Sequence, residues 1–342
     1  MSGLPTGVGT GVGSMPGTDP REAAGIVVGE VDFGYVPELP DRGIGADMVG
    51  AMAAILVDLP IDAGPHGYRL SARPSSVTRR ATDFWRIDLD AVEELWDAAG
   101  FVGTGRPFKV QCCGPFTFAA SVELPSGHKA LRDRGAVRDI VESTAEGLRA
   151  AVGEVTRRLG ADVVVQLDEP LIDAVLDGTV TPLTRMDPIP AIPLSEVADA
   201  LDSVVRHVGR PAILHNCGTT RWDLAERLPG VAQSVELLPG RTVDTATLDG
   251  IGALIERGDV LVAGVVAAVA DPSVSAPERP ETIAQSLAGI VDRIGLPRNV
   301  LSDNVIVTPT CGLAGATPAW ARTALGLCAK VGDLLATDPA AL

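Results

Sequence analysis

Aromatic residues are scarce in this chain: Phe, Trp and Tyr together make up 4% of 342 residues. Cations are scarce as well, with 28 Lys+Arg against 44 Asp+Glu and a formal net charge of −16. A chain so poor in Lys and Arg lacks the clusters that release counterions from a phosphate backbone. The same deficit argues against an anionic membrane surface. No nucleic acid and no membrane is therefore expected as a partner. Long apolar runs are missing. The longest, 260–270, has 11 residues counting Gly264, against roughly 20 needed to span a bilayer. Residues 1–5 show neither the basic nor the apolar part of a signal peptide. A soluble, cytoplasmic protein is expected. Cysteine is sparse and odd in number: Cys112, Cys113, Cys217, Cys311 and Cys328. An odd set without a secretion signal argues against a disulfide framework. The thiols are then buried packing groups, metal ligands or catalytic groups.

What is present is alternation. An apolar fraction of 46% excludes a largely disordered chain. Eight runs rich in Val and Ile end near Ser14, Glu38, Gly114, Asp168, Cys217, Glu236, Val265 and Thr308. Helical spacing of apolar residues appears at 47–59, 89–99, 134–159, 194–208, 221–228, 245–257, 280–294 and 318–335. Eight strands alternating with helices predict a single α/β domain over 1–342, a (β/α)8 TIM barrel. An open doubly wound sheet is the rival architecture. The stretch 60–88 is long for one connection and holds Arg69, Arg73, Arg79 and Arg80, so it is expected as an excursion near the barrel mouth.

The unusual polar residues fall at strand C-terminal ends: Ser14, Glu38, Asp168, His215, Cys217, Glu236 and Cys311. That face carries the active site in such barrels. In His215-Asn216-Cys217 the first and third side chains share one side of a strand. An imidazole and a thiolate suit zinc, and a catalytic zinc site needs three or four ligands with one exchangeable position. Glu236 and Cys311 are the candidates to complete it, and Cys311 sits in a loop, Pro309-Thr310-Cys311-Gly312-Leu313, with no packing reason for a thiol. A core histidine beside a buried thiol is the plainer alternative. In Asp168-Glu169-Pro170 two adjacent carboxylates end an apolar run. They suit a substrate ammonium, or else a helix cap and an ion pair. The segment Thr6-Gly7-Val8-Gly9-Thr10-Gly11-Val12-Gly13-Ser14 fits neither the dinucleotide fingerprint nor the Walker A spacing. Ser14 and the backbone N–H groups near it are expected beside a substrate carboxylate. Cys112, Cys113 and Cys328 read as packing, and His66, His128 and His207 as surface residues.

The motifs Val12-Gly13-Ser14-Met15-Pro16, Gly114-Pro115-Phe116-Thr117, Asp168-Glu169-Pro170, His215-x-Cys217 and Cys311-Gly312-Leu313 occur in this order over about 8–335. In this the chain resembles the C-terminal catalytic barrel of cobalamin-independent methionine synthase, within the superfamily that includes uroporphyrinogen decarboxylase. The resemblance implies a Zn2+ site at His215, Cys217, Glu236 and Cys311, with His215, Cys217 and Cys311 carrying catalysis. It implies that Val12 and Ser14 hold an amino-acid carboxylate, and that Asp168 and Glu38 hold its ammonium. It implies a methyltransferase acting on homocysteine to give methionine. Two departures stand out. The chain leaves no room for the second, N-terminal barrel of full-length members. The seventh strand, which in the family carries an Asp and a His, reads Gly264-Val265-Val266-Ala267-Ala268-Val269. The expected donor is therefore not folate, and a methylated corrinoid or corrinoid protein is the first candidate. Two rivals remain: a uroporphyrinogen-decarboxylase-like enzyme using the arginines of the excursion, and a zinc- or amino-acid-binding barrel without turnover.

Overall fold

A computed structural model describes residues 3–184, 188–271 and 277–342. Met1 and Ser2, part of the N-terminal segment read above, lie outside the described residues. The strands are β1 Val8–Gly9, β2 Gly34–Tyr35, β3 Ile61–Gly64, β4 Gly67–Leu70, β5 Pro107–Cys113, β6 Asp162–Asp168, β7 Ala212–His215, β8 Val231–Glu236, β9 Leu261–Val266 and β10 Val305–Pro309. Eight of them form one parallel sheet in the order β1-β10-β9-β8-β7-β6-β5-β2. Its two ends meet through a parallel bridge between Ser14 and Glu38. Met15 N–H donates to Glu38 O at 2.8 Å, and Glu38 N–H donates to Gly13 O at 3.1 Å. The fold is the (β/α)8 barrel that the alternation predicts, and all eight expected runs supply a strand.

Helices clothe the sheet, so most strand residues are buried on both faces and read as near-continuous apolar runs. The helices Arg134–Leu159, Leu194–Val208 and Pro280–Ile294 begin and end where the periodicity places them. Asp133 caps the first of these by accepting from Gly135 N–H and Ala136 N–H. Four described helices escape the sequence reading: Pro115–Ser121, Ile172–Asp177, Val300–Asp303 and, the longest, Pro20–Glu30, capped by Asp19. Gly25 and Gly29 interrupt its apolar pattern, although the Asp-Pro start is a helix signal. The excursion is also shorter than expected. It holds the antiparallel hairpin β3–β4, and helix Ser76–Ala98 already begins where the excursion was expected to continue. Arg79 and Arg80 lie in its first turns, and Arg80 Nη2 donates to Arg42 O at 3.1 Å. The hairpin is held on the mouth side of the sheet, since Leu70 N–H donates to Glu123 O at 2.8 Å, just beyond the helix that follows β5.

The glycine run near the N-terminus has a packing role. A Cβ on Gly9 would stand 2.4 Å from backbone atoms of Cys328 and Ala329. The helix Pro318–Thr337 therefore lies directly on β1, and glycine alone permits that approach. Inside the lower barrel, Phe33, Val164, Ile213, Ala232, Val262 and Ile306 form a small apolar plug. Above it the interior turns polar, with Lys109, Gln111, Gln166, His215, Ser234 and Thr308 all buried. No described helix is long and apolar enough to cross a membrane. All five cysteines are free, and Cys112, Cys113 and Cys328 are buried.

Candidate active site at the barrel mouth

One cavity of about 170 Å³ opens at the C-terminal ends of the strands. Val12, Ser14, Glu38, Asp168, His215, Cys217 and Cys311 all line it. These residues come from five strand ends that are far apart in sequence. Its size suits a small metabolite more than a drug-sized ligand.

His215 ends β7, opposite Asp168 at the end of β6. The chain bends after it, and Cys217 returns its sulfur to 3.0 Å from His215 Nε2. The other ring nitrogen, Nδ1, lies 2.8 Å from Ser234 Oγ on β8, so the ring is held from behind. Cys311 arrives from β10 by a different device. The ladder between β9 and β10 shifts by one residue at Thr308 and Pro309, where Val265 of β9 is the extra residue of a bulge beside the end of β10. Thr310 N–H then donates to Val266 O at 2.8 Å. Gly264 makes room for the chain leaving β10, since a Cβ there would stand 3.0 Å from Thr310 Cα. Cys217 Sγ and Cys311 Sγ end 2.8 Å apart. The ligand atoms of His215, Cys217 and Cys311 all lie within 4.8 Å of one another.

Each sulfur shifts the ionisation of the other. Hydrogen bonds from Cys217 and His215 pull the Cys311 thiol down to about 4, while the neighbouring sulfur and burial push Cys217 up. The donor set, one imidazole and two thiols with one already favouring its thiolate, fits zinc. Glu236, expected as a fourth ligand, is not in this group. It is exposed at the end of β8, and its Oε1 accepts from Arg241 Nη1 at 2.6 Å. An arginine five residues on, in the loop that follows the strand, turns the carboxylate away.

The opposite wall is acidic. Glu38 follows β2, and burial together with the charge of Asp168 pushes its carboxyl up to about 8. Burial also raises Asp168, against the pull of His215 and Lys109. Asp168 Oδ1 accepts from Gln166 Nε2 at 2.7 Å. The adjacent carboxylate has a separate role. Glu169 is fully buried and accepts from Phe116 N–H at 2.9 Å and Thr117 N–H at 2.7 Å, the first turn of helix Pro115–Ser121. The helix-cap reading of the Asp-Glu pair therefore holds for Glu169, at a helix that precedes it in the chain. Ser14 stitches the two halves together. Its carbonyl accepts from Leu313 N–H at 2.8 Å, and a Cβ on Gly312 would strike its hydroxyl.

Sequence reasoning missed Met48, Ala46, Pro40 and Pro170, which complete the cavity wall and carry no polar signal. It also missed Ser234, Gln166 and Lys109, which support the site from inside the barrel. A signal for these existed: Lys109-x-Gln111 and Gln166-x-Asp168 place polar groups at alternate positions in strands that should be apolar throughout.

Comparison with known proteins follows this geometry. A family model described as the catalytic domain of cobalamin-independent synthase matches residues 4–333. Among solved structures, the chain resembles a B12-independent methionine synthase from Shewanella sp. W3-18-1 in complex with selenomethionine. That match has a TM-score of 0.61 and 15% identity, and covers 99% of this chain and 99% of the other. A methyltransferase from Methanosarcina mazei matches with a TM-score of 0.54 and 17% identity over 97% of this chain and 93% of the other. No curated protein matches the chain. The likeness to both structures is one of fold, while the family model spans the barrel and every strand end that builds the cavity. This chain belongs to the family of cobalamin-independent synthase catalytic domains and is a methyltransferase of that family.

Proposed function

We propose that this methyltransferase acts on the thiol of a small amino acid, homocysteine first among them, and that His215, Cys217 and Cys311 hold a zinc ion. One observation carries the reading: three zinc-type donors converge within 4.8 Å in the same cavity that Glu38 and Asp168 face. Zinc bound there supplies Lewis acidity that keeps a substrate thiol as a thiolate near neutral pH. Ser234 fixes the His215 ring through Nδ1, leaving Nε2 for the metal. Glu38 and Asp168 face the substrate ammonium. The turn at Val12 and Ser14 presents backbone and hydroxyl groups to the carboxylate. Holding both ends of the amino acid orients its sulfur toward the donor, and such positioning supplies much of the rate enhancement. The selenomethionine bound to the Shewanella relative is consistent with an amino-acid ligand.

The end of β9 offers Val266 and Ala267 where the family resemblance implies polar groups, so the proposed donor is not folate. The comparisons give a corrinoid partner no support, so the assay covers donors of several classes. A uroporphyrinogen-decarboxylase-like reaction is disfavoured, because no Lys or Arg lines the cavity. The test is metal content of the purified protein alongside Cys217→Ser and Cys311→Ser, followed by methyl transfer to homocysteine from methyl-folate, methylcobalamin and simple methyl donors. The expected result is one zinc per chain, lost in both variants, with methionine formed from at least one donor. Absence of zinc, or zinc indifferent to Cys311, overturns the proposal.

A further inference from the structure

Lys109 is the one Lys or Arg among the described residues that is fully buried. A lone ammonium inside a barrel is costly unless it is paired and hydrogen-bonded. Its Nζ donates to Val12 O at 2.5 Å and sits 5.1 Å from the centre of the Tyr35 ring. Two carboxylates act on its charge, Asp168 and Glu38. These are the pair assigned above to the substrate ammonium. The Val12 carbonyl also accepts from Gln166 Nε2 at 2.9 Å, and that same nitrogen reaches Asp168. Lys109 and Gln166 thus grip one carbonyl from two neighbouring strands. Through it they join the turn at one end of the cavity to the carboxylates at the other.

We propose that Lys109 is a positioning residue for the amino-acid end of the substrate, and that it makes the cavity select a zwitterion over a simple amine. It does so in two ways. It clamps the Val12 carbonyl, which fixes the turn at Gly13 and Ser14 where a carboxylate would dock. Its charge also offsets the negative charge on the Asp168 wall of the cavity. Without it, the unopposed Asp168 carboxylate, joined by Glu38 wherever that carboxyl is ionised, still attracts an amine but repels a carboxylate a few ångströms away. The inference rests on the amino-acid thiol reading above.

The test compares two thiols of equal chain length, homocysteine and 3-aminopropane-1-thiol, which lacks the carboxylate. Binding of each is measured by calorimetry on zinc-loaded wild type, Lys109→Met and Lys109→Gln. Lys109→Met is expected to weaken homocysteine by about tenfold or more, the loss typical of a charge-assisted contact. The aminothiol should change by less than about threefold, with zinc content unchanged. Lys109→Gln keeps a donor for the Val12 carbonyl but no charge, and should fall between. An equal loss for both thiols, or no loss for either, overturns the inference. Should neither variant fold, Gln166→Leu removes the second donor to the same carbonyl as well as the donor to Asp168, so it should weaken both thiols but homocysteine more; an equal effect refutes the clamp. A zinc-loaded wild type that binds neither thiol refutes the amino-acid reading itself, an outcome distinct from the first two.

Discussion

Asp88→Asn should cost this barrel a large part of its stability. Asp88, on helix Ser76–Ala98, accepts two hydrogen bonds from Arg42, at 2.7 Å from Nη1 and 2.6 Å from Nη2. The side chains are only 10% and 7% exposed, so solvent screens the pair weakly. Arg42 is further fixed by its guanidinium lying 4.2 Å from the centre of the Phe84 ring. Removing the negative partner leaves a buried guanidinium uncompensated, a change worth about 3–5 kcal/mol. Set against a total stability of about 5–15 kcal/mol, that is a large fraction. At roughly 2 °C per kcal/mol for a chain of this size, the melting midpoint should fall by about 6–10 °C. Replacing both partners with apolar residues, Arg42→Met with Asp88→Leu, should return stability to within about 1 kcal/mol of wild type, because neither charge then needs a partner. Urea denaturation of wild type, Arg42→Met, Asp88→Leu and the double variant completes the cycle. The functional consequence is separate: Arg42 lies four residues beyond Glu38, and Arg42, Asp88 and Glu38 line one small cavity of about 40 Å³. The single variant should therefore also raise KM for the amino acid. A single variant within 1 kcal/mol of wild type, or a double variant as unstable as the single, refutes the reasoning.

Glu38, pushed up to about 8, should make homocysteine binding pH-dependent. Below that value its carboxyl is protonated and offers no charge to an ammonium, so affinity should rise several-fold from pH 6.5 to 8.5, and Glu38→Gln should remove that part of the rise in calorimetric titrations. Glu169→Gln replaces a carboxylate that accepts two amide hydrogen bonds with a group that has one acceptor oxygen. It should lower stability by about 1–3 kcal/mol in urea denaturation while leaving zinc content intact. Gly9→Ala forces a methyl against the backbone of Cys328 and should cost about 1–3 kcal/mol or more, whereas Gly29→Ala, in a helix with open space around it, should be neutral or stabilising in the same assay.

How much of this was legible in sequence depends on whether a feature is periodic. The helix Arg134–Leu159 shows its apolar positions at helical spacing and ends on Gly160, so its limits could be read. The helix Pro20–Glu30 offers a cap but only a weak stripe, and it was missed. The site residues were legible because each breaks a local rule: a histidine, a thiol or a carboxylate ends a strand that should finish in Val or Ile. What could not be read is where a carboxylate turns once the chain has folded. Glu236 satisfies the same sequence criterion as Asp168, yet Arg241 pairs with the first while the second accepts from Gln166 inside the barrel. Lys109 and Ser234 were overlooked for the opposite reason. They sit inside strands rather than at their ends, and their importance comes from the partners that neighbouring strands bring to them.

The apolar end of β9 is more than a lost polar pair. Gly264 leaves room for Thr310, and β9 bulges at Val265 just where β10 runs on toward Cys311. A side chain at Gly264 would press on Thr310, next to that sulfur. Thr310 N–H also depends on the Val266 carbonyl, so β9 supports the thiol site with its backbone at the place where the family resemblance implies donor chemistry. Both roles lie on one stretch of chain, which continues past Val266 with Ala267, Ala268 and Val269. Those positions are half-buried or exposed and apolar in this chain. On the proposed function, a donor that meets this edge of the mouth meets apolar side chains at 267–269 and is expected to bring its own leaving-group activation. A methyl donor that needs a protein acid to depart would find none on β9. This is the physical basis for expecting turnover with an intrinsically activated donor and none with one that must first be protonated there.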